Sequence, residues 1–221
     1  MKNGSWALVD RYIANALIPD DDALEGALKA SAAAGLPDIQ VSAAQGKFLH
    51  LLARIAGAKS ILEIGTLGGY STIWLARALP ANGRLVTLEA NAKHAEVARE
   101  NFARAGLDKV IDLRVGLALE TLPKIQKEAL GPFDLFFIDA DKGNNAAYFD
   151  WALELGRSGS VIVVDNVVRQ GAVIDATSED PAVRGVRRLY ERLSNEERVT
   201  ATAVQTVGVK GYDGFVLAHV K

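Results

Sequence analysis

The sequence predicts an α/β fold: a doubly wound, seven-stranded, mostly parallel sheet, with N-terminal helices before it and an antiparallel last strand pair. Three observations predict it. From residue 60 onward, short apolar runs alternate with stretches of helical period, the pattern of βαβ units. Runs such as "SILEIG", "DLFFID" and "SVIVVDN" are apolar without alternation, as expected of strands covered by helices on both faces. The last two runs, "VTATAVQTV" and "GFVLAHV", are separated only by "GVKGYD". That gap cannot hold a crossover helix, so the two must pair antiparallel.

The elements follow in order. The chain reads as one domain over residues 1–221, with a helical extension over 1–58 and an α/β core over 59–221. "DDDALEGALKASAAAG" opens with acids, which suit a helix N-terminus, and stops at Gly35 and Pro37. Ser42 and Gln45 have capping-box spacing at the start of "AAQGKFLHLLARIAG". In that helix Phe48, Leu51, Leu52 and Ile55 fall on one face. "SILEIG" is then a strand and "YSTIWLARAL" a helix; "RLVTLE" a strand and "AKHAEVARENFARAG" a helix ending at Gly106. "VIDLRVG" precedes helical "ALETLPKIQKEAL", and "DLFFID" precedes "AAYFDWALELG". "SVIVVDN" leads through a loop to "PAVRGVRRLYERL", whose proline suits a first helical turn.

Composition removes several function classes. Of the 221 residues, 49% are apolar and 24% charged, and the formal net charge is −2 with no basic stripe, so nucleic acid is not an expected partner. The chain has no cysteine, which excludes disulfides, thiolate metal sites and a cysteine nucleophile. "MKNGSWALVDRY" lacks the apolar core of a signal peptide, and no run approaches membrane-spanning length. The expected location is the cytoplasm.

Polar residues gather where the apolar runs end. Ligands of open α/β sheets bind outside the carboxyl ends of the strands. Glu63 and Gly65 end the first predicted strand, Glu89 the second, Asp139 the fourth, and Asp165 with Asn166 the fifth. In "EIGTLGGYS" the spacing is G-x-x-G-G, not the G-x-G-x-x-G of pyrophosphate sites. Glu63 would repel a phosphate and welcome a cation, whereas Glu89 is placed to accept hydrogen bonds from ribose hydroxyls. An adenosine with a cationic tail fits better than a dinucleotide; the alternative is a glycine turn with two surface acids.

Neighbouring strands lie ~5 Å apart, so Asp139 and Asp165 would face each other if their strands pair. Two like charges that close need compensation, and a hard dication provides it. Asn166 adds a neutral oxygen, and an all-oxygen set favours magnesium, calcium or manganese over zinc. Solvated acids satisfied by Lys142 or by backbone amides are the alternative. Lys142 stands near the same place; an adjacent dication favours the neutral amine that a general base needs, and a pairing with Asp141 is the competing role.

These residues resemble the cation-dependent O-methyltransferases of the caffeoyl-CoA and catechol type, which use S-adenosyl-L-methionine. The matching pieces are "LEIGTLGGYSTIWLARALP", "GRLVTLEAN", "FDLFFIDADK", "VIVVDNVVRQGAV" and "GYDGFVLAHV", in the family's order. The resemblance implies the class I methyltransferase sheet, a Rossmann-like arrangement. It implies that Asp139, Asp165 and Asn166 hold the metal and that Lys142 is the general base. It implies that Glu63, Gly65, Thr66, Tyr70 and Ser71 hold the methionine part of the cofactor and Glu89 its ribose. Val41 and Ala118 match positions that pack near the cofactor, and Asp139 and Asp141 complete that set. At Asp141 the catechol branch has a tryptophan; "DADK" follows the caffeoyl-CoA branch. Family members are commonly homodimers, and the implied partner is a small phenolic acceptor.

The expected reaction is methyl transfer to a vicinal diol on an aromatic ring. Two rivals stand beside it: a nicotinamide oxidoreductase, and a non-catalytic binder of the adenosyl cofactor. Arg169 and Tyr212, in or near the loop after the metal motif, are candidates for acceptor contact or for packing. His50, His94 and His219 have no ligand spacing and receive no role, and Trp74 and Trp151 are expected in the core.

Overall fold

A computed structural model describes residues 4–221. Residues 1–3, which open the stretch read as lacking a signal peptide, lie outside the described residues. Three helices come first: α1 (Gly4–Leu17), α2 (Asp22–Ala33) and α3 (Ala43–Ile55). The alternating part follows as β1 (Ser60–Ile64), α4 (Tyr70–Ala76), β2 (Arg84–Glu89), α5 (Ala92–Arg104), β3 (Ile111–Val115) and α6 (Ala118–Lys127). It continues with β4 (Leu135–Ile138), α7 (Asn145–Leu155), β5 (Val161–Asp165), α8 (Pro181–Ser194), β6 (Val199–Gly208) and β7 (Gly211–Val220). Short 3-10 segments, Lys142–Asn144 and Arg169–Ile174, lead into α7 and follow β5.

The seven strands lie in the order β3-β2-β1-β4-β5-β7-β6. β1 to β5 pair in parallel, and β7 runs antiparallel to both its neighbours. The hairpin is longer than the sequence implied. "GVKGYD" is mostly strand: the ladder runs from Val199↔Val220 to Gly208↔Gly211, so only Val209 and Lys210 make the turn. Glycines at both ends of that turn let the two strands close tightly.

Side chains alternate across the sheet with period two, and each face has its own core. Leu62, Ile64, Phe136, Ile138, Ile162 and Val164 face one way, against α6, α7 and α8. Ile61, Leu85, Leu135, Phe137 and Val163 face the other way, against α2 to α5. This double covering is why the strands read as unbroken apolar runs. Phe133, Phe136, Phe137 and Phe149 are all fully buried, and burial of such a side chain stabilises by about 2 kcal/mol.

The N-terminal helices are anchored by caps. Asp21 accepts hydrogen bonds from the amides of Ala23 and Leu24, and Arg77, just past the end of α4, holds the same carboxylate at 2.6 Å. Ser42 Oγ accepts from the Gln45 amide at 3.2 Å. The face of α3 that packs inward is Gly46, Leu49 and Ala53. The stripe of larger residues points elsewhere: Phe48, Leu51 and Ile55 are all exposed. Small residues win the inner face because α3 lies close on α4; a Cβ at Gly46 would sit 2.3 Å from the Trp74 ring. Trp74 is buried and Trp151 is partly buried against the other core. Among the described residues no helix is long and apolar enough to cross a membrane.

Candidate active site

The chain builds β1, β2 and β3 outward in one direction, then returns to lay β4 on the other side of β1. The loops after β1 and β4 therefore diverge, and a crevice opens between them. A cavity of about 910 Å³ occupies it. Gly65 sits at the branch with φ +101°; a Cβ there would lie 2.0 Å from the Asp139 carbonyl oxygen. Only glycine meets both demands.

One end of the cavity is walled by Val41, Thr66, Tyr70, Ser71, Glu89 and Ala118. Glu89 is buried at the tip of β2. Its Oε2 accepts from the Leu67 amide at 2.8 Å and the Thr66 amide at 3.3 Å, and its Oε1 from the Asn91 amide at 2.9 Å. These bonds tie the glycine loop to the second strand. His94 Nδ1 lies 3.5 Å from the same carboxylate.

Glu63 is placed differently from the rest of that set. It lies fully buried in β1, beneath the loop and off the cavity wall. Three hydroxyls donate to it: Ser71 at 2.7 Å, Thr72 at 2.5 Å and Thr87 at 2.6 Å. Burial nevertheless pushes its carboxyl up to about 7. Its link to the cavity runs through Ser71, which holds Glu63 and lines the wall.

The opposite end gathers the remaining acids. β4 pairs with β5 through Ile138↔Val164, so the next residues, Asp139 and Asp165, stand side by side at the strand tips. Asp139 Oδ1 accepts from Lys142 Nζ at 2.7 Å. Asp165 is buried; its Oδ1 accepts from the Asn166 amide at 2.8 Å and its Oδ2 from Gln45 Nε2 at 2.7 Å. Burial raises the Asp165 carboxyl well above the usual carboxylate range, and the Asp139 charge raises it further. Asn166 has φ +57°, a left-handed turn that brings it onto the cavity wall beside Lys142 and Asp139.

This end fits a hard dication. Two adjacent carboxylates, with Lys142 bonded to only one of them, leave negative charge that a dication would offset. Among the described residues no group of three or more His, Cys, Asp or Glu side chains is arranged to hold a metal. The donor set is two carboxylates and an amide, all oxygen, which suits magnesium, calcium or manganese. Asp141 faces the cavity a step away, where Tyr148 donates to it at 2.5 Å and Asn144 at 2.6 Å. Burial, and then the Asp141 carboxylate, raise the Tyr148 hydroxyl, which stays protonated as a donor.

Residues 15–220 match a family model described as O-methyltransferase.

This chain belongs to the O-methyltransferase family.

The catechol O-methyltransferase of Niastella koreensis is 54% identical over 221 residues, covering all of both chains. The O-methyltransferase of Bacillus cereus, solved in complex with SAH, is 59% identical with a TM-score of 0.98 over all of both chains. The O-methyltransferase TomG of Streptomyces achromogenes, involved in tomaymycin synthesis and solved with SAM, is 52% identical with a TM-score of 0.97, over 100% of this chain and 99% of that one.

Sequence reasoning missed several residues of the site in this O-methyltransferase. Gln45 was read as the far half of a capping box; its backbone does take the cap, but its side chain reaches Asp165 instead of returning to Ser42. Nothing local signals that contact, because it spans most of the chain. His94 had no role assigned, and the structure puts it on the cavity wall against Glu89. The Asp141–Tyr148 contact was missed because Asp141 lies before the 3-10 segment, outside the helix Asn145–Leu155 that carries Tyr148.

Proposed function

We propose that this O-methyltransferase transfers the methyl group of S-adenosyl-L-methionine to one hydroxyl of a vicinal aromatic diol, with the help of a divalent cation. The relatives solved with SAH and SAM support the donor, and the relatives named for catechol support the acceptor class. The observation that carries the reading is the Asp139–Asp165 pair, with Asn166 and Lys142 beside it, at one end of a cavity whose other end is the glycine loop and Glu89.

When bound, the sulfonium supplies the methyl group and the cation supplies Lewis-acid charge at the acceptor oxygens. Asp139, Asp165 and Asn166 would hold the cation, magnesium by preference, and Gln45 fixes the rotamer of Asp165. Thr66, Tyr70 and Ser71 cradle the methionine part, with Glu63 bracing Ser71 from beneath. Glu89 receives the ribose hydroxyls, and Val41, Ala118 and Asp141 bound the adenine side. Lys142 Nζ takes the proton of the reacting hydroxyl. The O–H bond breaks, an O–CH3 bond forms and the S–CH3 bond breaks. The reaction neutralises charge, so the chain's task is alignment and exclusion of water.

A homodimer completes the proposal. Leu8 and Tyr12 on α1, Leu51 and Ile55 on α3, and Val204 and Val207 on β6 are exposed. Such a set of apolar residues on one end of a molecule suits an interface. The deciding assay is methyl transfer to 3,4-dihydroxybenzoate and to catechol, with magnesium or with EDTA. Turnover that stops with EDTA and returns with magnesium is expected; full turnover in EDTA overturns the cation reading. Asp165→Ala should abolish turnover and retain S-adenosyl-L-methionine binding by calorimetry.

A further inference from the structure

Among the described residues, Arg169 is the arginine with a buried side-chain nitrogen that has no hydrogen-bond partner. Arg77, Arg114, Arg157, Arg192 and Arg198 all donate hydrogen bonds to carboxylates. Arg169 lines the cavity, its side chain is 32% exposed, and among the described residues its guanidinium donates no hydrogen bond. Its Nε is buried without a partner. Among the described residues its ion-pair partner is Asp213, whose Oδ2 stays 3.9 Å from Nη1. A buried guanidinium nitrogen with no acceptor is costly unless something else supplies one, and the remaining donors of Arg169 are open to the cavity.

The backbone holds this side chain in place at a cost. Arg169 and Gln170 both have left-handed φ, +55° and +56°. Two successive non-glycine residues in that region persist only where the surroundings impose it. Asp213 imposes it: its Oδ1 accepts from the amides of Val168, Arg169 and Gly214. Those bonds fix the Asp213 carboxylate in place, with its Oδ2 3.9 Å from the guanidinium, beyond hydrogen-bond distance. Lys142, the lysine on the wall, is already bonded to Asp139. Arg169 is therefore the cavity's spare positive charge, three residues beyond Asn166 and on the acid side of the site.

We infer that Arg169 selects acceptors that carry a carboxylate, binding it through the guanidinium while the diol lies at the Asp139–Asp165 end. A planar guanidinium matches a carboxylate with two parallel, charge-assisted hydrogen bonds. The inference rests on the methyl-transfer reading for the pose of the diol, and Arg169 adds the acceptor class to it.

The test compares 3,4-dihydroxybenzoate with 3,4-dihydroxybenzamide, its neutral isostere, on the wild-type chain and on the Arg169→Gln and Arg169→Lys variants. Two readouts are taken: the kcat/KM ratio of acid to amide, and calorimetric binding of each probe with magnesium and S-adenosylhomocysteine present. Wild type should favour the acid at least about tenfold in both, R169Q should bring the ratio close to one, and R169K should keep an intermediate ratio. Equal handling of acid and amide by wild type overturns the inference, as does an undiminished preference in R169Q. Selective binding of the acid without turnover on either probe leaves the anion site standing and removes the methyl-transfer reading instead. Should R169Q unfold, the wild-type ratio and R169K decide.

Discussion

Gln45 Nε2 lies 2.7 Å from Asp165 Oδ2, so the first turn of α3 orients a carboxylate at the tip of β5. The rotamer of Asp165 is thereby set from outside the sheet. Groups that orient a ligand in this way typically change metal affinity 10–100-fold when removed. Gln45→Ala is therefore expected to raise the magnesium concentration for half-maximal activity about tenfold. A magnesium titration of initial rates checks this, and an unchanged midpoint would mean that Asp165 needs no such support.

Gly185 in α8 packs on the segment that carries Lys142. A Cβ there would lie 2.0 Å from the Lys142 carbonyl oxygen and 2.7 Å from Gly143 Cα. Gly185→Ala must move that segment. A shift of about 1 Å at a catalytic group can cost about 100-fold in rate. The expected outcome is a fall in kcat of that order, with S-adenosyl-L-methionine affinity changed little, read by steady-state kinetics and calorimetry together.

Glu63 makes stability depend on pH. Its carboxyl has an ordinary value of 4.5 and is raised to about 7 in the folded chain. The folded state thus binds the proton more tightly than the unfolded state. Between those two pH values stability falls as pH rises, and above about 7 the loss is complete, at about 3 kcal/mol. Glu63→Gln removes the titration. The difference in unfolding free energy between wild type and E63Q, measured on the ligand-free protein, should shift toward the variant by about that amount from pH 4.5 to pH 8. A difference that stays flat with pH would place the charge of Glu63 elsewhere.

The exposed stripe on α3 predicts association. Leu51 is 49% exposed and Ile55 is 83% exposed. Leu51→Asp should convert a dimer to a monomer, seen as a halved mass by light scattering at the same concentration. A wild-type chain that already runs as a monomer would refute the proposed interface.

Much of this architecture was legible in the sequence, for a physical reason. A sheet covered on both sides needs strands without polar interruption, so Leu135 to Ile138 and Val161 to Val164 announced themselves, and the acids after them marked the strand tips. The side-by-side placement of Asp139 and Asp165 followed from the neighbouring strands. What periodicity missed was the choice of face in α3, where Phe48 and Leu51 look like core but Gly46 and Ala53 provide the close approach. The side-chain contact of Gln45 was illegible for a different reason: Asp165 lies far away in the chain, and no local pattern encodes the pair; Arg169 was flagged from its loop as a candidate for acceptor contact or packing, but its distant neighbour Asp213 was not. Glu63 was read as a cavity acid, and the structure turns it inward because the residues on β1 alternate between faces.

The crossing from β3 back to β4 has a bearing on how this chain acquires activity. β1 pairs with β4 through Ile61↔Leu135, with two complete strand–helix units between them. Closing so large a loop is slow, and nothing in the early units rewards it in advance. Helical signal on dilution from denaturant should return first, and catalytic competence should lag behind it, because Gly65 and Asp139 meet only when the central strands have zipped. Recovered turnover is thus a late clock for this molecule, marking the moment when the middle of the sheet is whole.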